Sequence, residues 1–205
     1  MARKSFPWTT ALAAGGLALG VAGFAASVAG RTSAATASRI AVPRRIALIG
    51  DSYAVGLGPE LAKLLPAIRW EGHESTNVAE WADHAPVCMR ANKIVGHTYG
   101  GNAGPSCGDW LTAYQPNLTL VALGVNDGNA PVSANYHTLV SALHGIGSKV
   151  VWIEPPARVS ASAVRGVIRS LGVETVPGVD VPLAADGLHP ASYAPWAKRI
   201  AQAIS

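Results

Sequence analysis

Three short patterns in this 205-residue chain carry side chains that can perform acyl transfer. They are Gly50-Asp51-Ser52-Tyr53, Gly124-Val125-Asn126-Asp127 and Asp186-Gly187-Leu188-His189. A serine hydroxyl is a weak nucleophile until a neighbouring base takes its proton. His189 can be that base, and Asp186, three residues earlier, can hold the imidazole tautomer and stabilise its charged form. Attack by Ser52 on a carbonyl would build an oxyanion, for which the Asn126 amide and the Ser52 backbone N–H are candidate donors. Asp51 and Asp127 are expected to hydrogen-bond local backbone and order their turns.

Such groups act together only if the fold places them at one edge. The apolar run from Arg45 to Gly50 reads as a buried strand, followed by helical spacing from Leu57 to Leu65. Ala67 to Trp70 reads as a second strand and Val78 to Trp81 as part of a helix. Leu118 to Gly124 is the clearest strand, and Ser133 to Leu143 is helical. Lys149 to Glu154 is a strand stopped by Pro155-Pro156, Ser160 to Leu171 a helix, Val173 to Val176 a short strand, and Ser192 to Ile204 the last helix. Strands alternating with helices predict a parallel sheet covered on both faces. In such sheets functional groups gather at the carboxyl ends of strands, and there the three patterns fall.

The order Gly-Asp-Ser, Gly-x-Asn-Asp, Asp-x-x-His, each at an expected strand end, resembles the SGNH, or GDSL-type, hydrolase family across residues 45–204. The resemblance implies a three-layer α/β/α sandwich, flavodoxin-like, with a parallel sheet of about five strands. It also implies a serine esterase or lipase needing no metal or other cofactor. On the matching positions Ser52 would be nucleophile, His189 base, Asp186 its partner, and Asn126 with the Ser52 N–H the oxyanion donors. Two positions depart from the pattern. Tyr53 stands where Leu is commoner, which is expected to affect packing or gating more than chemistry. The family's oxyanion glycine has no plain counterpart: Ser75-Thr76-Asn77 stands where short-form members carry it, with Ser for Gly. Gly100, Gly101 and Gly108 are later candidates.

Other patterns compete for attention. Gly104-Pro105-Ser106-Cys107-Gly108 matches a Gly-x-Ser-x-Gly nucleophile elbow, but that motif needs a strand before it, and residues 97–103 read as a glycine-rich loop. A trypsin-like reading fails because only 51 residues precede Ser52. His73, His84, Cys88 and His97 form no dense metal-ligand spacing and read as loop and surface residues. Trp81, Tyr99 and Trp110 flank or lie in the long segment over 82–109; they suggest carbohydrate stacking, against core roles for the two tryptophans. Cys88 and Cys107 are a possible disulfide that would staple this segment near the active edge and contribute on the order of 3 kcal/mol. Two unrelated buried thiols is the alternative.

Charge divides the chain. The 16 Lys+Arg against 12 Asp+Glu give a net charge of +4, yet Arg3, Lys4, Arg31, Arg39, Arg44 and Arg45 all precede the first acid, Asp51. The remaining body is mildly acidic, which argues against a nucleic-acid partner. Residues 7–30 carry no charge behind Arg3 and Lys4, the layout of an export signal or a membrane anchor. The expected organisation is such a leader over 1–37, a linker over 38–44 and an SGNH-type hydrolase domain over 45–205. Cleavage after Ala37 would free the domain; an uncut leader would tether it outside the membrane. The expected partner is a small-molecule, polysaccharide or lipid ester substrate, leaning to small acyl groups such as O-acetyl on carbohydrate. Alternatives are a lipolytic, lysophospholipase-like esterase and a catalytically silent glycan-binding module of the same fold.

Overall fold

β-Strands β1 (Ile46–Gly50) and β4 (Leu118–Ala122) are buried at every residue. Both faces are covered, so the sequence there runs apolar without alternating, as in a parallel sheet between helical layers. The computed structural model describes residues 44–82, 98–103 and 109–205, within a compact unit spanning Ala41–Ser205. The remaining elements are α1 (Ser52–Leu64), β2 (Arg69–His73), α2 (Val78–Ala82), β3 (Tyr99–Gly101), α3 (Asp109–Tyr114), α4 (Ser133–Gly145), β5 (Lys149–Ile153), α5 (Ser162–Ser170), β6 (Glu174–Val176) and α6 (Ala194–Ala203). A 3-10 turn, Val125–Asp127, follows β4.

The sheet has six strands in the order β3-β2-β1-β4-β5-β6. All neighbours run parallel except β3, which pairs antiparallel with β2. Strand order therefore reverses between β1 and β4, and the crevice beyond the carboxyl ends of those two strands is where α/β sheets of this kind bind ligands. Successive residues of β1 face opposite layers. Ala47 and Ile49 join Trp81, Trp110, Tyr136, Trp152 and Ile168 on one side. Leu48 joins Leu57 and Leu61 of α1 and Trp196 and Ile200 of α6 on the other.

The sequence anticipated this three-layer architecture, with two differences. The sheet has a sixth strand, β3, because Tyr99–Gly101 is a three-residue edge strand whose glycines resemble a loop. The Asn102 side chain continues the pairing by accepting from Trp70 N (2.8 Å) and donating to Ile68 O (3.1 Å). Strand β2 runs to His73, later than the expected Ala67–Trp70, because Glu71 and His73 are buried strand residues. The Glu71 carboxylate is paired internally, with His73 Nε2 at 2.7 Å and with Trp110 Nε1 as a donor, while the buried His73 Nδ1 has no hydrogen-bond partner among the described residues. The leader over 1–37, most of the linker, His84, Cys88, His97, Ser106, Cys107 and Gly108 lie outside the described residues. Among the described residues no helix is long and apolar enough to cross a membrane.

Gly50 ends β1 opposite Ala122 of β4. A Cβ there would lie 2.1 Å from the Ala122 carbonyl oxygen, so only glycine lets the two strand ends meet. Gly50→Ala is expected to cost about 1–3 kcal/mol through overpacking, read as a lower urea midpoint with an unchanged denaturant slope.

Candidate active site

Ser52 is the first residue of α1 and follows β1 after a single turn residue. That turn is held by Asp51. Its N–H donates to Ala122 O at 3.1 Å, its carbonyl accepts from Val55 N, and its side chain caps the helix by accepting from Tyr53 N at 2.9 Å. The serine hydroxyl thus stands at a helix N-terminus, where the free backbone N–H groups and the helix dipole favour negative charge.

His189 arrives from a tight chain reversal. Leu183 and Pro190 form an isolated bridge, Ala184 N donates to His189 O at 2.7 Å, and Ala191 N donates to Pro182 O at 2.8 Å. Within this turn Asp186 accepts from the backbone N–H groups of Leu188 and His189, both at 2.9 Å. Its other oxygen lies 2.7 Å from His189 Nδ1, and His189 Nε2 lies 2.8 Å from Ser52 Oγ. These donors, the imidazole first and the two backbone N–H groups after it, lower the Asp186 carboxyl to about 2. Asp186 is therefore an anion at any working pH. The tautomer consistent with that anion carries its proton on Nδ1 and turns the Nε2 lone pair toward the serine hydroxyl.

Asn126 lies in the turn after β4, on the far side of the strand-order switch from Ser52. Gly124 opens that turn in the left-handed region, at φ +117°, a conformation glycine supplies without strain. The Asn126 amide donates to Thr76 O at 2.8 Å and makes a longer contact, 3.4 Å, with Asp51 Oδ2. Thr76 is fully buried. Its hydroxyl donates to His73 O at 2.8 Å and accepts from Trp81 Nε1 at 3.0 Å. Asn77 and Glu80 then bond each other's backbone N–H at the start of α2, the reciprocal arrangement of a capping box.

Ser75, inside this fastened loop, has φ +63°. A serine there adopts the backbone that glycine favours. This conformation distinguishes Ser75 from the later glycine candidates, since Gly100 and Gly101 are committed to β3 against Val55 and Trp70. Thr76 and the conformation of Ser75 were not evident from sequence alone. The hint was that Ser75-Thr76-Asn77 occupies the expected place with the wrong first residue.

Other singled-out residues among those described have structural partners. Trp81 and Trp110 are core residues, which removes them from any sugar-stacking surface, and His73, expected as a loop or surface residue, is instead a buried strand residue paired with Glu71. Asp127 reaches beyond its own turn to accept from Tyr136 Oη at 2.6 Å. A cleft of about 250 Å³ at the opposite edge of the sheet is lined by Arg44, Leu118, Lys149 and Glu174. It holds no nucleophile–base pair, and its Lys149 is bonded to Glu174 at 2.6 Å.

No family model matches the chain, and no curated protein matches it in sequence. Solved structures match in fold. A psychrotrophic esterase from Pseudoalteromonas sp. is 18% identical with a TM-score of 0.51, over 78% of this chain and 96% of its own. The fold is that of the GDSL-like esterases and lipases. A GDSL-like lipase from Bacteroides thetaiotaomicron (14% identity, TM-score 0.51, 79% of this chain and 88% of its own) shares it. So does a G-D-S-L family protein from Desulfitobacterium hafniense (12%, 0.51, 77% and 97%). In this GDSL-like fold the Ser52, Asn126 and His189 patterns all sit at the carboxyl edge.

Burial pushes the Asp51 carboxyl up to about 8, and the nearby Asp127 adds to the shift, against the backbone N–H groups of Tyr53 and Gly124. An exposed aspartate releases its proton near pH 4. Folding therefore takes up a proton between about pH 4 and pH 8, and stability falls as pH rises through that window. Asp51→Asn is expected to flatten this dependence: the stability lost between pH 5 and pH 8 should shrink by at least ~1 kcal/mol in urea denaturation at the two pH values.

Proposed function

We propose that the protein is a serine esterase acting through an acyl-enzyme. The observation that carries this reading is the continuous hydrogen-bonded chain from Ser52 Oγ through His189 to Asp186, set beside the strand-order switch of a GDSL-like fold. His189 Nε2 takes the Ser52 proton as Oγ attacks the ester carbonyl. Asp186 holds the imidazolium that forms, and His189 then gives its proton to the departing alcohol. Water, deprotonated by the same imidazole, releases the acid and regenerates Ser52.

The oxyanion of each tetrahedral intermediate is received by three donors in this reading: the Ser52 N–H, the Asn126 amide and the Ser75 N–H. Asn126 has one N–H committed to Thr76 and a second engaged only by the 3.4 Å contact with Asp51. An arriving oxyanion would replace that long contact. The left-handed backbone at Ser75 supports the serine as successor to the family's glycine, since the backbone N–H is the functional group and the side chain is incidental.

We read the substrate as an ester of a small acyl group, such as O-acetyl on carbohydrate. The triad is open to solvent, with the side chains of His189 and Asp186 32% and 48% exposed. That openness suits an acyl group presented by a bulky alcohol better than a long chain that needs apolar enclosure. The charge-free run behind Arg3 and Lys4 supports action outside the membrane, on envelope or environmental polymer.

A serine-reactive phosphonate is expected to label Ser52, and Ser52→Ala should abolish both labelling and ester hydrolysis. Absence of labelling in intact protein would instead favour a silent glycan-binding module. Asn126→Ala is expected to lower kcat by about 10²-fold or more. Across p-nitrophenyl esters of increasing chain length, kcat/KM should peak at acetate; a peak at long chains would replace the small-acyl reading with a lipolytic one.

A further inference from the structure

Tyr53 links the two halves of the triad. It follows Ser52 directly in the chain, and its side chain is almost wholly buried. Its hydroxyl donates to the carbonyl of Leu188, the residue before His189, at 3.1 Å. Its ring meets the His189 imidazole edge-on, with centroids 5.9 Å apart and planes at 79°. Behind it, Trp196 of α6 meets the same ring edge-on at 5.2 Å. The tyrosine is thus wedged between the helix that carries the nucleophile, the turn that carries the base, and α6.

The turn around His189 has two kinds of support. Its inner bonds, from Ala184 N to His189 O, from Gly187 N to Ala184 O and from the Leu188 and His189 N–H groups to Asp186, define its own shape. They do not fix where it lies relative to α1. Among the described residues, two hydrogen bonds join the turn to α1: His189 Nε2 with Ser52 Oγ, and Tyr53 Oη with Leu188 O. The first must break and re-form as the serine proton moves, so of these two hydrogen bonds the second is the one that persists, adding a local tie beside His189 to the packing of α6 on α1. Leucine, commoner at this position in the family that the sequence resembles, fills space but donates nothing. Burial pushes the Tyr53 phenol well above its usual range, which keeps the hydroxyl a donor wherever the enzyme works.

We infer that Tyr53 is a positioning residue for His189: by holding the Leu188 carbonyl, its hydroxyl keeps the imidazole at hydrogen-bond distance from Ser52 Oγ. This rests on the esterase reading only where activity is the readout. The test compares the full chain with Tyr53→Phe, which removes one oxygen and keeps the ring, and with Tyr53→Leu. Loss of one neutral hydrogen bond is expected to lower kcat about five- to tenfold, with KM for p-nitrophenyl acetate unchanged and Tm within a few degrees. The downfield proton resonance of His189 Nδ1–H, assigned by its loss in His189→Gln, should broaden in both variants through faster exchange.

Wild-type kcat together with an unchanged resonance in Tyr53→Phe would overturn the inference. So would a parallel loss of Tm with no change in the resonance, since that describes packing alone. If wild-type protein fails to label with phosphonate, the esterase reading fails, and the resonance still decides whether Tyr53 positions His189.

Discussion

Everything at the carboxyl edge depends on β1 and β4 ending side by side. Gly50 faces Ala122 across the ladder, and the next residue, Asp51, still donates to the Ala122 carbonyl at 3.1 Å. The two chains leave the sheet from one level and in different directions, β1 into α1 and β4 into the 3-10 turn. In α/β sheets such a strand-order reversal leaves a crevice, and here Ser52 follows the strand on one side of it and Asn126 the strand on the other. A side chain at residue 50 would drive the two strand ends apart and with them Ser52 and Asn126.

Beneath the crevice lies a layer of buried polar groups that an apolar core would not need. Asp51, Glu71, His73 and Thr76 are all inaccessible to solvent, and an unpaired polar group there would cost on the order of 1–3 kcal/mol. Apart from His73 Nδ1, they are bonded in a connected order: Trp110 to Glu71, Glu71 to His73, Trp81 to Thr76, Thr76 to the His73 carbonyl, and Asn126 to the Thr76 carbonyl, with Asp51 capping α1 beside Asn126. Such a network is directional where hydrophobic packing is not. It explains how a loop with a serine in a left-handed conformation keeps one shape, and why two tryptophans that resemble sugar platforms in sequence belong inside.

The candidate catalytic groups were legible because each sits in a short pattern where residue type and local geometry coincide. Gly-Asp-Ser after an apolar run predicts a strand, a cap and a helix start, and Asp-x-x-His closes on itself within one turn. The strands β1, β4 and β5 were legible because continuous apolar runs have no other economical use in an α/β chain. What was hidden depends on tertiary pairing. Glu71-Gly72-His73 looks polar until Trp110, far along the chain, supplies a partner for the carboxylate. Tyr99–Gly101 looks like a loop until β2 is beside it. The Tyr53 hydroxyl has a purpose only when Leu188, distant in sequence, is in place.

Asp186 and Asp51 have their carboxyls pushed in opposite directions by their surroundings. Asp186 is half-exposed and receives three N–H groups, so its anion is stabilised and its carboxyl falls to about 2. Asp51 is fully enclosed, and the backbone N–H groups that reach it, Tyr53's first, do not offset lost hydration, so its carboxyl rises to about 8. In the proposed reaction the first supports positive charge developing on His189, where an anion is needed. The second lies against Asn126, where an anion would hold the amide to itself and repel the developing oxyanion. Neutral Asp51 still caps α1 through its carbonyl oxygen, since accepting from Tyr53 N requires a lone pair and not a charge. Burial thus lets one residue cap the helix that Ser52 begins while its raised carboxyl keeps negative charge away from the place where the proposed reaction would develop it.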